Sequence, residues 1–178
     1  MPHALTHVLV VIVLLEIFRH YVVKRKEAFP VHYIIIGGIA GLVPDLDIAV
    51  YYLLSYFGFT INEVHRTFSH NLFVPLLFGI FAGLSYSFKS KKLGVRHLKL
   101  RNIFLVIAFG IFVHLVLDVL LAGAIMPFYP ISNHSFGLNL ISIFPTAWQP
   151  SIMPSLDALL LILWLISLEF RHRISRVL

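Results

Sequence analysis

Apolar residues run along this chain in long stretches, and polar ones break in at only a few places. A membrane-crossing helix needs about 20 mostly apolar residues. The pattern predicts five: Ala4–Val23, Tyr33–Phe57, Asn71–Phe88, Ile103–Ile125 and Leu156–Phe170, the last short for a span. Glu16, Arg19 and His20 inside the first stretch, with no small-residue cleavage site after it, argue against a signal peptide. The second stretch is interrupted by Pro44-Asp45-Leu46-Asp47, after Gly37, Gly38 and Gly41. Pro44 lacks a backbone donor and disfavours helix at Val43, so a break is expected there. The expected fold is all-α. Residues 1–178 form a single integral membrane domain, a polytopic bundle of about five transmembrane helices with a broken second helix.

Composition supports this. Hydrophobic residues make up 59% of the 178 and charged ones 12%, about half the charge of a soluble domain. A soluble globular domain and a disordered chain are both excluded. The absence of cysteine removes disulfides, thiolate metal sites and cysteine nucleophiles. Fourteen Lys and Arg against eight Asp and Glu leave a net charge of +6. The excess sits at span ends, in Lys24-Arg25-Lys26, from Lys89 to Arg101, and at Arg171, Arg173 and Arg176. Membrane topology therefore accounts for it better than nucleic acid, and no nucleic-acid partner is expected. With five crossings all three clusters share one face, which the positive-inside rule makes cytoplasmic. The expected location is the cell membrane, N-terminus outside and C-terminus in the cytoplasm. Gly58–Ser69 and residues 126–155 are then extracytoplasmic. The latter segment is rich in Pro, Ser and Asn and is expected to fold over the bundle.

Within the predicted spans lie Glu16, Asp45, Asp47 and Asp118, with few cations to pair them. An ionised carboxylate there is expensive and marks a functional site. His7, His65, His70 and His114 lie close by in the predicted topology. Histidine and carboxylate without thiol form a ligand set for zinc, manganese or iron. His114 and Asp118, four apart, share a helical face, although a His–Asp pair stitching two helices would use the same spacing. Asp45 and Asp47 would point to opposite sides of a regular helix. A break could turn both toward one cavity, where irregular backbone is tolerated at membrane depth. His65 and His70 are five apart, so a loop-to-helix turn must present both; a plain interfacial loop is the alternative. In that segment Ser69 could cap the third span and Arg66 could hold a phosphate or carboxylate bidentately. His3 and His7 are four apart at the outer end of the first span.

Depth unites these residues. Asp45, Asp47, His114 and Asp118 fall in the middle or outer part of their spans, and His7, His65 and His70 at the outer edge. Seven candidate ligands are too many for one tetrahedral zinc and suit two ions about 3.5–4 Å apart. Among the other histidines, His32 and His97 read as interfacial, His20 as a partner for Glu16, and His172 as part of a basic cluster. His134 is a candidate substrate contact or extra ligand.

Thr6-His7, Gly41-Leu42-Val43-Pro44-Asp45-Leu46-Asp47, His65-Arg66-Thr67-Phe68-Ser69-His70 and His114-Leu115-Val116-Leu117-Asp118 occur in that order. With Pro127-Phe128-Tyr129-Pro130 and Phe136-Gly137-Leu138, they resemble the YdjM-like family of membrane-bound metal-dependent hydrolases, from about Thr6 to Leu138. That pattern is in turn similar to zinc-dependent phospholipase C-like proteins, helical and built on His/Asp clusters. Two positions depart from it: Ile48, where the family often has histidine, and Asn71, where it often has serine.

The expected function is hydrolysis of a phosphoester or related bond in a lipid or membrane-associated substrate. His7, Asp45, Asp47, His65, His70, His114 and Asp118 would hold two divalent ions, zinc or else manganese or iron. Asp47 or Asp118 would act as general base, and Arg66 would bind the phosphoryl group. The rival expectation is an ion- or proton-coupled transporter using the same cluster and broken helix. A third is a metal that merely staples helices.

Overall fold

The computed structural model describes residues 3–87, 92–93, 98–121 and 123–172. Lys89, His97, Arg173, Arg176 and the Phe88 end of the third predicted span lie outside the described residues. The described α-helices are α1 (Ala4–Tyr21), α2 (Val31–Ala40), α3 (Asp47–Leu54), α4 (Ile61–Val64), α5 (Phe73–Ser87), α6 (Leu100–Leu121) and α7 (Gln149–His172). A short antiparallel pair, β1 (Lys92–Leu93) and β2 (Leu98–Lys99), leads into α6.

The predicted break in the second stretch is present. α2 ends at Gly41, Pro44–Leu46 form a 3-10 turn, and α3 follows. The two halves meet at a 44° bend. Pro44 thus removes a donor where the helix has already changed register.

α2 packs between α1 and α6 around Val11, Leu15, Phe29, Tyr33, Ile34, Val106 and Val113. Glycine sets how closely they approach. A side chain at Gly110 of α6 would run into the Gly37 carbonyl of α2, and one at Gly37 into Leu15 of α1. At the other end of the pair, the Tyr33 hydroxyl accepts from the Lys99 N–H at 2.7 Å and ties β2 to α2. α5 lies along α6. Helix α7 meets α1 through Asp157, whose carboxylate accepts from the Thr6 hydroxyl and lies 2.7 Å from His3 Nδ1.

Length and apolarity support part of the expected five spans. Among the described residues, three helices are long and apolar enough to cross a membrane, α1, α6 and Gln149–Phe170 of α7, or four if the bent pair is one span. α5 is apolar but short of that length. By contrast the fifth stretch is longer than predicted. It starts at Gln149 rather than Leu156, because Pro150 falls in the first turn, where no intrahelical donor is needed. The segment between α6 and α7 is pinned back to the bundle. Ile125 and Phe136 exchange two backbone hydrogen bonds, Leu138 N–H donates to Val119 C=O at 2.7 Å, and Leu72 N–H donates to Pro127 C=O at 2.9 Å.

Candidate metal centre

Four parts of the chain converge on one buried polar cluster. α1 contributes His7, the turn before α3 contributes Asp45, the loop before α5 contributes His65 and His70, and α6 contributes His114 and Asp118. His7, His70, His114 and Asp118 are fully buried, and Asp45 is 21% exposed. The His7 ring stacks on His114 with centroids 3.8 Å apart.

Hydrogen bonds on the far side of the His114, His65 and His70 rings assign their tautomers. His114 Nδ1 lies 2.7 Å from the Gly41 carbonyl, which only accepts. That nitrogen therefore carries the hydrogen, and Nε2 presents a lone pair. His65 Nδ1 lies 2.8 Å from Asp47 Oδ1, and His70 Nδ1 lies 3.1 Å from Asp47 Oδ2. Both rings likewise point a bare Nε2 inward. Such outer partners fix ring orientation and raise ligand basicity.

With the rings neutral, the inward atoms face one another with no proton donor between them. His70 Nε2 and His114 Nε2 are 3.2 Å apart. Asp118 Oδ2 lies 3.5 and 3.8 Å from them, and Asp45 Oδ1 lies 3.6 and 3.7 Å. Both carboxylate oxygens are buried and unpartnered, as are His65 Nε2 and His7 Nδ1. Metal–ligand lengths of about 2.0–2.1 Å give tetrahedral ligand–ligand edges of about 3.4 Å. The donor set therefore fits a divalent cation. Three overlapping groups have their donor atoms close enough to share an ion: His7, Asp45 and His114; Asp45, His65 and His70; His70, His114 and Asp118.

Asp47 joins none of those three groups. Its oxygens accept from His65, His70, the Ser69 hydroxyl (2.7 Å) and the Arg66 N–H (3.1 Å). It stands behind the histidines and orients them. Burial disfavours charge on His70, but the Asp45 and Asp47 carboxylates outweigh this and hold its pKa above the ordinary histidine value.

Arg66 completes the cluster. Its backbone is left-handed, φ 66°, which is uncommon outside glycine. The guanidinium lies against the Cα of Gly123, where an added Cβ would stand 2.7–2.8 Å from it. Its Nε is 3.7 Å from Asp118 Oδ2, and Nε and one terminal nitrogen are buried without a hydrogen-bond partner.

Several polar residues take other places. Ser69 does not cap α5; Asn71 does, its Oδ1 accepting from the Phe73 and Val74 N–H groups at 3.0 and 3.2 Å. Asparagine's preference for helix N-termini is the signal that was available at that position. His3 pairs with Asp157, not with the cluster. His134 is exposed and joins none of the three groups. Asp157, the joint between α1 and α7, was not singled out from the sequence.

The model of the YdjM inner membrane protein family matches residues 1–174. The chain belongs to that family. No curated protein and no solved structure matches it. In this member of the YdjM family, a membrane protein, the six residues of the overlapping groups come from the first four of the segments that carried the resemblance.

Proposed function

We propose that this chain is a membrane-bound, metal-dependent hydrolase acting on a phosphoester or related bond of a lipid or membrane-associated substrate. The observation that carries this reading is the convergence of bare histidine nitrogens and unpartnered carboxylate oxygens beside a guanidinium with free donors. His70, His114 and Asp118 would hold one divalent ion, leaving a fourth position for water, and His7 and His65 extend the set toward a second. A divalent ion there supplies a Lewis acid and a hydroxide nucleophile at neutral pH, by lowering the pKa of water from 15.7 toward about 7. The chain's own groups do the rest. Arg66 binds the phosphoryl oxygens bidentately. Asp47 has spent its acceptors on His65, His70, Ser69 and Arg66, so the base is drawn from Asp45 and Asp118. Asp45, the more open of the two, takes the proton of the attacking water on Oδ1. If the bent α2–α3 pair and the short α5 both cross, the positive-inside rule would put the basic clusters on the cytoplasmic side and this site at the outer face.

The test is metal content and turnover together. The protein is purified in detergent, loaded in turn with zinc, manganese and iron, and assayed on phospholipid vesicles. One or two ions per chain and phosphate-ester cleavage are expected, with both lost in Asp118→Asn and His114→Ala at unchanged helix content. Failure of wild type to retain any of the three metals would sink the reading. The 44° bend beside Asp45 favours the second reading, a transporter. Metal-dependent uptake into proteoliposomes without substrate cleavage would select it.

A further inference from the structure

Away from the histidine cluster, a cavity of about 820 Å³ lies between α1, α2 and α7. Its walls are apolar along Val8, Ile12, Ile34, Ile39 and Leu168, and Arg19 and Lys26 stand at its polar end with Glu16 and His20. Arg19 and Lys26 also line a second cavity, of about 290 Å³, with Glu27 and His32. Each chamber holds a buried polar atom without a partner: Trp164 Nε1 in the first and His32 Nδ1 in the second. Arg19 is anchored from behind, its Nε donating to the Phe29 carbonyl at 2.8 Å.

We propose that the joined cavities bind one phospholipid with an amine headgroup, its acyl chain in the apolar chamber and its phosphate at Arg19 and Lys26. Basic pockets between transmembrane helices recognise lipid headgroups, and guanidinium suits phosphate. The headgroup follows from charge. The polar chamber carries Glu27 beside its two cations, which matches a phosphate joined to an ammonium. A purely anionic headgroup would leave that carboxylate unmatched and repelled. Trp164 donates from the apolar wall toward the ester level, where indoles favour one wet and one dry side. The site shares no residue with the metal cluster and does not depend on hydrolysis.

The protein is reconstituted into nanodiscs of phosphatidylcholine with equal phosphatidylethanolamine and phosphatidylglycerol. It is then released, and retained lipid is counted by native mass spectrometry. One phosphatidylethanolamine per chain, favoured over phosphatidylglycerol, is expected. Arg19→Ala with Lys26→Ala should lower retention about tenfold or more. Glu27→Gln, at an exposed residue, should erase the headgroup preference while leaving total retention near wild type. Equal or reversed preference in wild type, or undiminished retention in a folded double variant, would overturn the proposal. Should the double variant fail to fold, an unchanged preference in Glu27→Gln overturns it alone.

Discussion

Single residues in the cluster differ by layer, and their substitutions should separate accordingly. Asp118 offers an unpartnered oxygen to two histidines, whereas Asp47 only orients rings. Removing an orienting carboxylate lowers metal affinity about 10–100-fold. Asp47→Asn should therefore weaken binding within that range in a competition titration, while Asp118→Asn removes it; equal losses would refute the layering. pH acts through His70. Its pKa is raised, so the proton sits on Nε2 over a wider range and competes with the cation. The proton is released as pH rises through that raised value, so metal retention should fall on acidification, beginning above the ordinary histidine range of about 6.5. Retention that stays flat from neutral pH down to the carboxylate range would contradict this. Gly123→Ala tests Arg66 without touching a ligand. An added methyl stands within 3 Å of the guanidinium and must push it aside, so turnover should drop at unchanged metal content.

Helices α2 and α6 hold His114 and the Gly41 carbonyl in register, and their closeness depends on Gly110. Gly110→Ala places a methyl against the Gly37 carbonyl. Overpacking of that kind costs typically 1–3 kcal/mol. Gly83 of α5 meets nothing within 4 Å, so Gly83→Ala should gain up to about 1 kcal/mol from helix propensity. Thermal unfolding in detergent should shift in opposite directions for the two, and a neutral Gly110→Ala would disprove the close crossing. The sequence made the cluster legible because polar residues are rare in these apolar runs, so each of His7, Asp45, His70, His114 and Asp118 stood out. It could not assign layers. Spacing alone does not say that Asp47 faces two Nδ1 atoms and Asp45 two Nε2 atoms. The break at Pro44 was legible from proline chemistry. The N-terminus of α7 was not, because Pro150 and Pro154 read as a loop until one of them proved to lie in a first turn.

At the scale of the whole molecule, the cluster draws nothing from α7. Its ligands come from α1, the turn before α3, the loop before α5, and α6. α7 is lightly packed, with most of its apolar surface exposed. One polar attachment to the rest is Asp157 on Thr6 and His3, and Thr6 is fully buried. A buried hydroxyl left without its acceptor costs about 1–3 kcal/mol. Asp157→Leu should therefore loosen α7 while leaving the metal site assembled. Limited proteolysis should cut faster between α6 and α7, and the unfolding temperature should fall, at unchanged metal per chain. Thr6→Val removes the donor as well as the unmet hydroxyl, so adding it to Asp157→Leu should recover part of the lost stability. Loss of metal in Asp157→Leu alone would mean that α7 clamps the ligand-bearing helices. The molecule would then be one cooperative unit, not a four-segment site with a separable last helix.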